Sequence, residues 1–337
     1  MSFRPGETRD LLRPEPHSTT GRAIASLGLR RLNEAFAAFP AERFDDARAR
    51  HAFSAFRREM DALLPGRPKA RVAVLASPFV RVPLERVIFG GDLTAIVEAA
   101  CAGLFALQLG PGLTRSIHVR GAPTKLFALE PPRVGTLDEG AFPVGDEAIA
   151  PLETQTIRDL PISAAAGEAF GMKSRPLGGE GRRTLEHALR LLDAAAPTEA
   201  MELGRFFRLV VPLERGVERR VGVLGLDPSA PALDVALTLV EQLALAKLSL
   251  YARLLDVDAR ALEAPAAHAV RRAFLHALGV VRHPLAASEE AKRHLQEDAA
   301  IERLGRVGSE EPLVAGVVAE LSRLLDRSPG DAKRRTP

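Results

Sequence analysis

At 337 residues and 36.2 kDa, with 46% hydrophobic and 26% charged residues, the chain has the composition of an ordinary globular protein, long enough for one large domain or two smaller ones. Its 46 basic and 43 acidic side chains leave a formal charge of +3, too little to argue for nucleic acid, whose binders concentrate positive charge on one face. A lone cysteine, Cys101 in the apolar run IVEAACAGLFALQL, excludes an intramolecular disulfide and reads as buried filler rather than as a nucleophile.

The opening stretch MSFRPGETRDLLRPEPHSTT carries charges and prolines where a signal peptide needs an apolar segment. No apolar run reaches, free of charge, the roughly 18 to 20 residues that span a bilayer. The expectation is a cytoplasmic protein with no membrane partner.

Helix signals begin at Ala23 to Phe39 and continue through Pro40 to Leu64, where Phe44, Ala47 and His51, then Phe53, Phe56, Met60 and Leu64, recur at three and four spacing. Pro65 and Gly66 end this run. Arg71 to Phe79 is Val-rich enough for a short strand, though so short an apolar run does not separate a strand from a buried helix turn. Leu93 to Leu109 is apolar on nearly every side, the mark of a central helix, and Gly110, Pro111 and Gly112 close it. Arg115 to Val119 and Lys125 to Leu129 read as two strands of a hairpin. From Glu130 to Gly181 Gly, Pro and acidic residues dominate, which suggests irregular strands, a lid or a linker.

Beyond it, Arg182 to Ala195 is an amphipathic helix, Pro197 to Val210 another, and Val221 to Leu226 a short strand. A turn at Asp227 to Pro231 leads into DVALTLVEQLALAKLSLYARLLDV, Asp234 to Val257. Further helices are expected over Ala266 to Arg282, Ser288 to Leu304 and Pro312 to Leu325. The predicted fold class is α+β, predominantly α-helical, with a small β-element between two helical regions. Its parts are a disordered N-terminal arm (1–22), an N-terminal helical region with short strands (23–129), a loop-rich connection (130–181), a C-terminal helical region (182–326) and a disordered tail (327–337).

The Asp234 helix carries the most specific signal. At about 100° per residue, Asp234, Thr238, Glu241, Gln242, Leu245, Ser249, Arg253 and Asp256 share one sector roughly 120° wide. The rest is Leu, Val and Ala, with Lys247 as the main exception. Two His at i and i+4 on such a helix would project both imidazoles at one metal, with a Glu beside them as base. Positions 241, 242 and 245 have that spacing but hold Glu, Gln and Leu. Leu coordinates no metal, and a carboxamide accepts no proton at neutral pH.

LVEQLALAKLSLYARLLDV resembles the metal helix of the HExxH peptide-modification proteins of ribosomal peptide biosynthesis, which are regarded as iron and 2-oxoglutarate dependent peptide β-hydroxylases. VLASPFVRVPLERV, AACAGLFALQLG, HVRGAPTKLFALEPPRV, FFRLVVPL and AFLHALGVVR are similar to other parts of that family in the same order, over roughly Val74 to His283. The resemblance places the family's first His on Glu241, its Glu on Gln242 and its second His on Leu245, so none of the three is kept. It implies a third ligand on the following helix, where His268, His276 and His283 occur, and a Lys at position 247.

Three readings follow. In the first the chain is a pseudoenzyme that expects no cofactor and binds a peptide or protein partner, with Glu241, Gln242, Leu245, Ser249 and His276 lining a groove and Lys247 either paired with a buried carboxylate, which the resemblance favours, or snorkelling outward. In the second it is an active enzyme that uses iron and 2-oxoglutarate at a rearranged site, with Glu241, His276 and His283 as candidate ligands; the two His lie seven apart and would share a helix face. In the third the resemblance is accidental, the polar stripe is a solvated face with one exposed Leu, and the chain is a helical scaffold or regulatory protein. The His pair likewise reads as an ordinary packed or surface pair. Phosphate-loop and nucleophile-elbow motifs are absent, the glycines of Leu177 to Gly181 read as a flexible connection, and the sequence does not set an oligomeric state.

Overall fold

The structure is a computed structural model that describes residues 19–63, 67–255, 260–289 and 291–292. Both expected disordered ends, apart from residues 19–22 of the first, and the helices expected over Ser288 to Leu304 and Pro312 to Leu325, apart from a few residues around Ser288, lie outside the described residues. The fold is α+β and predominantly helical. The chain forms two compact units. One comprises Leu29–Leu177 with Phe207–Leu226, the other Gly178–Phe206 and Asp227 onward together with the residues up to Gly28.

The first unit is built on five helices: α1 (Thr20–Ala38, whose residues from Leu29 belong here), α2 (Ala47–Ala62), α3 (Pro68–Ala76), α4 (Pro78–Ile88) and α5 (Ile96–Leu109). The Asp46 side chain accepts the Arg48 amide at 2.9 Å and starts α2. That helix buries Phe53, Phe56 and Met60 against Phe36, Phe39 and Phe44, with neighbouring ring centroids 5.2–5.8 Å apart. Two charges are buried beside this core. Arg71 donates to Asn33 Oδ1 at 2.6 Å and Asp61 Oδ1 at 2.8 Å, and Glu59 accepts from the Thr114 amide and hydroxyl. Hydrogen-bonded partners are what make such burial tolerable.

Arg71 to Phe79, expected as a strand, is instead the junction of α3 and α4. Pro68 and Pro78 each occupy a first helical turn, where the missing N–H costs nothing. Ser77, held extended by the proline after it (φ −58°, ψ 126°), separates the helices. The nearly all-apolar α5 is central, as expected, and packs on α2 and α4. It approaches α2 closely because Gly103 lies against the Phe56 ring, where a Cβ would clash.

Three sheets complete the unit. Strands β1 (Ile117–His118) and β4 (Ala141–Phe142) form an antiparallel pair, whereas β2 (Lys125–Leu129) pairs with β3 (Pro132–Thr136), and β3 with β5 (Ile149–Pro151). The expected hairpin between Arg115 to Val119 and Lys125 to Leu129 is therefore replaced by one that turns at Glu130 and Pro131. The third sheet is mixed and runs β6 (Gln155–Ile157), β7 (Leu160–Ile162), β8 (Phe207–Pro212), β10 (Gly222–Leu226), β9 (Val217–Arg220), with β8 parallel to both neighbours. Of the alternatives for 130–181, irregular strands hold up to Ile162, and residues to Leu177 are built into this unit rather than connecting two regions.

Among the described residues, four helices make up most of the second unit: α6 (Gly179–Ala195), α7 (Pro197–Phe206), α8 (Ala232–Leu255) and α9 (Arg260–Val280). The helix expected to run from Pro197 to Val210 stops at Phe206. The run FRLVVP becomes β8, buried on both faces as an interior strand of a mixed sheet is. Helix α8 is the hub, in contact with α6, α7 and α9.

Candidate functional site

Every described member of the predicted polar stripe of α8 is at least partly covered. Asp234, Thr238, Glu241, Gln242, Ser249 and Arg253 are half-buried and Leu245 is only 8% exposed. Asp256 lies outside the described residues. The reading of a solvated face with one exposed Leu is therefore corrected: Leu245 is part of the packed interior. The polar residues find partners on the neighbouring helix, since Glu241 Oε2 lies 2.8 Å from Arg271 Nε and the Ser249 hydroxyl donates to Glu263 Oε1 at 3.3 Å. Gln242 Nε2 reaches Glu241 Oε1 at 3.4 Å. Lys247, 1% exposed, is paired with the equally buried Glu202 of α7, so the expected buried carboxylate partner is present. The Gly21 backbone passes so near the Glu202 carboxylate that a Cβ there would clash with it.

The candidate ligands His276 and His283 are not gathered at Glu241. Arg271, whose guanidinium meets Glu241, and His276 are five residues apart on α9, which puts them about 140° apart around the helix axis. His283 does not share a helix face with His276, because α9 ends at Val280 and the chain turns through Arg282 at φ +55°. His283 instead caps the short 3-10 helix Pro284–Ala287, with Nδ1 accepting the Leu285 amide at 3.3 Å. His268 is buried within α9. Among the described residues no three His, Cys, Asp or Glu side chains converge as a metal-binding group.

These donors do not fit the iron that the resemblance implies. A facial triad needs two imidazoles and a carboxylate converging on open positions. Here the carboxylate is engaged by a guanidinium, the position one turn on is a packed leucine, and of the candidate ligands His276 is on another face of α9 and His283 lies beyond its end. A void beside α8 and α9, lined by Val240, Val270, Ala273 and Phe274 among others, measures about 10 Å³, room for at most one water.

No family model matches the chain, and no curated protein matches it.

The larger clefts lie in the other unit and were not anticipated. One, of about 360 Å³, is walled by Ala70, Ala73 and Val74 of α3, Ser77 and Pro78 at the helix junction, Ala106, Gly110 and Pro111 from the end of α5, and Leu129, with Arg67, Glu130 and Arg208 at its charged positions. Arg67 Nη1 donates to the Pro111 carbonyl at 3.2 Å, and Arg208 is paired with Glu130. A second, of about 330 Å³, holds the stack of Phe127, Phe79 and Phe170, with centroids 5.5 and 5.2 Å apart, beside Glu98 and the Lys125–Glu168 pair at 2.8 Å. Burial pushes the Glu98 carboxyl above its usual range; Arg86 opposes the shift and Asp92 reinforces it. No local sequence signal marks either cleft, because each is gathered from segments far apart in the chain.

Proposed function

We propose that the chain is a catalytically degenerate homologue of the HExxH peptide β-hydroxylases, acting in the cytoplasm as a peptide-binding or partner-binding accessory protein in peptide modification. The observation that carries this reading is the Glu241–Arg271 pair. At the position where the resemblance expects a metal-ligating imidazole there is a carboxylate, and the positive charge it faces is a guanidinium from the next helix. The pair satisfies the site electrostatically without a metal, and buried Leu245 fills the space one turn on. With α8 so packed, the peptide or partner is received on another surface of the chain.

Two measurements test this. Metal content of the protein purified without chelators is expected to be far below one iron or zinc per chain, and stoichiometric metal overturns the proposal. Incubation with iron(II), 2-oxoglutarate and a candidate peptide that binds the protein is expected to leave the peptide mass unchanged. Addition of an oxygen atom to the peptide would show an active hydroxylase instead.

A further inference from the structure

The 360 Å³ cleft of the first unit goes beyond the reading of α8 and does not rest on it. Its size falls in the range of small-molecule sites, roughly 300 to 1,000 Å³. The wall is aliphatic, from Ala73, Val74, Ala106 and Leu129, and no aromatic ring lines it, so nothing there would stack on a base or an aromatic ligand. Two guanidiniums face one carboxylate, leaving a net positive lining. Arg67 spends one of its five donors on the Pro111 carbonyl. Arg208 is held by Glu130, a carboxylate 65% exposed at its side chain, and such a pair is weak because solvent screens it.

We infer that this cleft binds a small aliphatic carboxylate, with the carboxylate replacing Glu130 on Arg208 and the apolar body lying along the α3 and α5 walls. Guanidinium and carboxylate match as paired donors and acceptors, which favours a carboxylate over a bare point charge. The exchange at Arg208 is like for like, one carboxylate for another, so burial of the aliphatic body provides the net gain. Glu130 is then an internal competitor for the ligand's partner.

The probe is octanoate, titrated calorimetrically into the full chain at low ionic strength, with n-octanol and inorganic phosphate as the uncharged and the non-apolar controls. Octanoate is expected to bind, each control at least about tenfold more weakly. Arg208→Gln is expected to weaken octanoate at least about tenfold and Ala73→Phe, which fills the cleft, to abolish its binding. Glu130→Gln is expected to tighten it, a direction that loss of a structural ion pair does not produce. Because Glu130 is exposed, this variant keeps the test decisive even if Ala73→Phe fails to fold. Absence of octanoate binding to the wild-type chain, equal binding of n-octanol, or weaker binding after Glu130→Gln overturns the inference.

Discussion

Replacing Lys247 by methionine removes the cation that faces the Glu202 carboxylate in a place where each side chain is 1% exposed. Methionine matches the length of the lysine stem, so the change deletes charge with little loss of packing. A buried ion left without its partner costs about 3–5 kcal/mol, whereas replacing both partners with apolar groups of similar shape is near neutral or stabilising. Lys247→Met is therefore expected to destabilise by about 3–5 kcal/mol, and Lys247→Met with Glu202→Leu to recover most of that loss, giving a coupling of several kcal/mol. The sequence supplies the assay. There is no Trp and a single Tyr, and Tyr251, 3% exposed, sits one turn beyond Lys247 on α8. Urea unfolding followed by its fluorescence reports on the helical unit alone. A single-variant loss below about 1 kcal/mol, the value of an exposed pair, or a double variant no more stable than the single one, would refute the argument.

Leu245→Ala is expected to cost about 2–5 kcal/mol in the same assay, as for a buried leucine; a loss within the roughly 0.5 kcal/mol typical of surface positions would return Leu245 to the solvated face. Cys101 is 0% exposed and burial pushes its thiol up to about 12, so the native chain should leave Ellman's reagent unreacted at pH 8 and release one thiol per chain once denatured; rapid reaction of the native form counts against the burial. For Glu98, a folded-state pKa raised above the usual 4.5 means that stability is fully present below about pH 4.5 and lost as pH rises through the folded value. Glu98→Gln should accordingly raise the thermal midpoint at pH 7, with the difference from wild type shrinking below about pH 4.5, and a lowered midpoint at pH 7 would show that the Arg86 contact outweighs desolvation.

Long periodic helices were legible from the sequence because their signal is local. Helix α5 is apolar nearly all round and central, α8 is apolar with a narrow polar stripe and mostly buried, and Lys247, the main exception in its apolar sector, left pairing with a buried carboxylate or snorkelling outward as its alternatives. The strand errors share a different cause. The register of β8 depends on β7 and β10, partners supplied from elsewhere in the chain, and a strand buried on both faces shows no alternation to separate it from a helix end. The β1 segment pairs with Ala141–Phe142 instead of its nearer neighbour β2, and no composition rule states that choice. At Arg71 to Phe79 the prolines were the better guide than the valines, since Pro78 disfavours the helical region at Ser77, although Pro83 is accommodated within α4. The candidate site was half legible: the spacing located position 241, but its partner, Arg271, sits beside Arg272 on another helix, and no local pattern says which arginine faces position 241.

Residues Ala232–Leu254 are long and apolar enough to cross a bilayer by length and composition, yet 72% of the most apolar window is buried by the protein itself. The pattern of charges on the helix explains why burial among other helices suits it. Glu241 is answered by Arg271, Lys247 by Glu202, and Ser249 by Glu263, so α7 and α9 each meet α8 at positions where sliding by one turn would strand a charge. Apolar contacts alone would tolerate such a slip, since Leu, Val and Ala repeat along most of the helix. The ion pairs therefore specify which neighbour sits against which face, a role polar groups fill in otherwise apolar helix contacts. Position 241 is thus where a charge on α8 reaches across to the following helix, and the guanidinium it meets there helps to fix the packing of the unit.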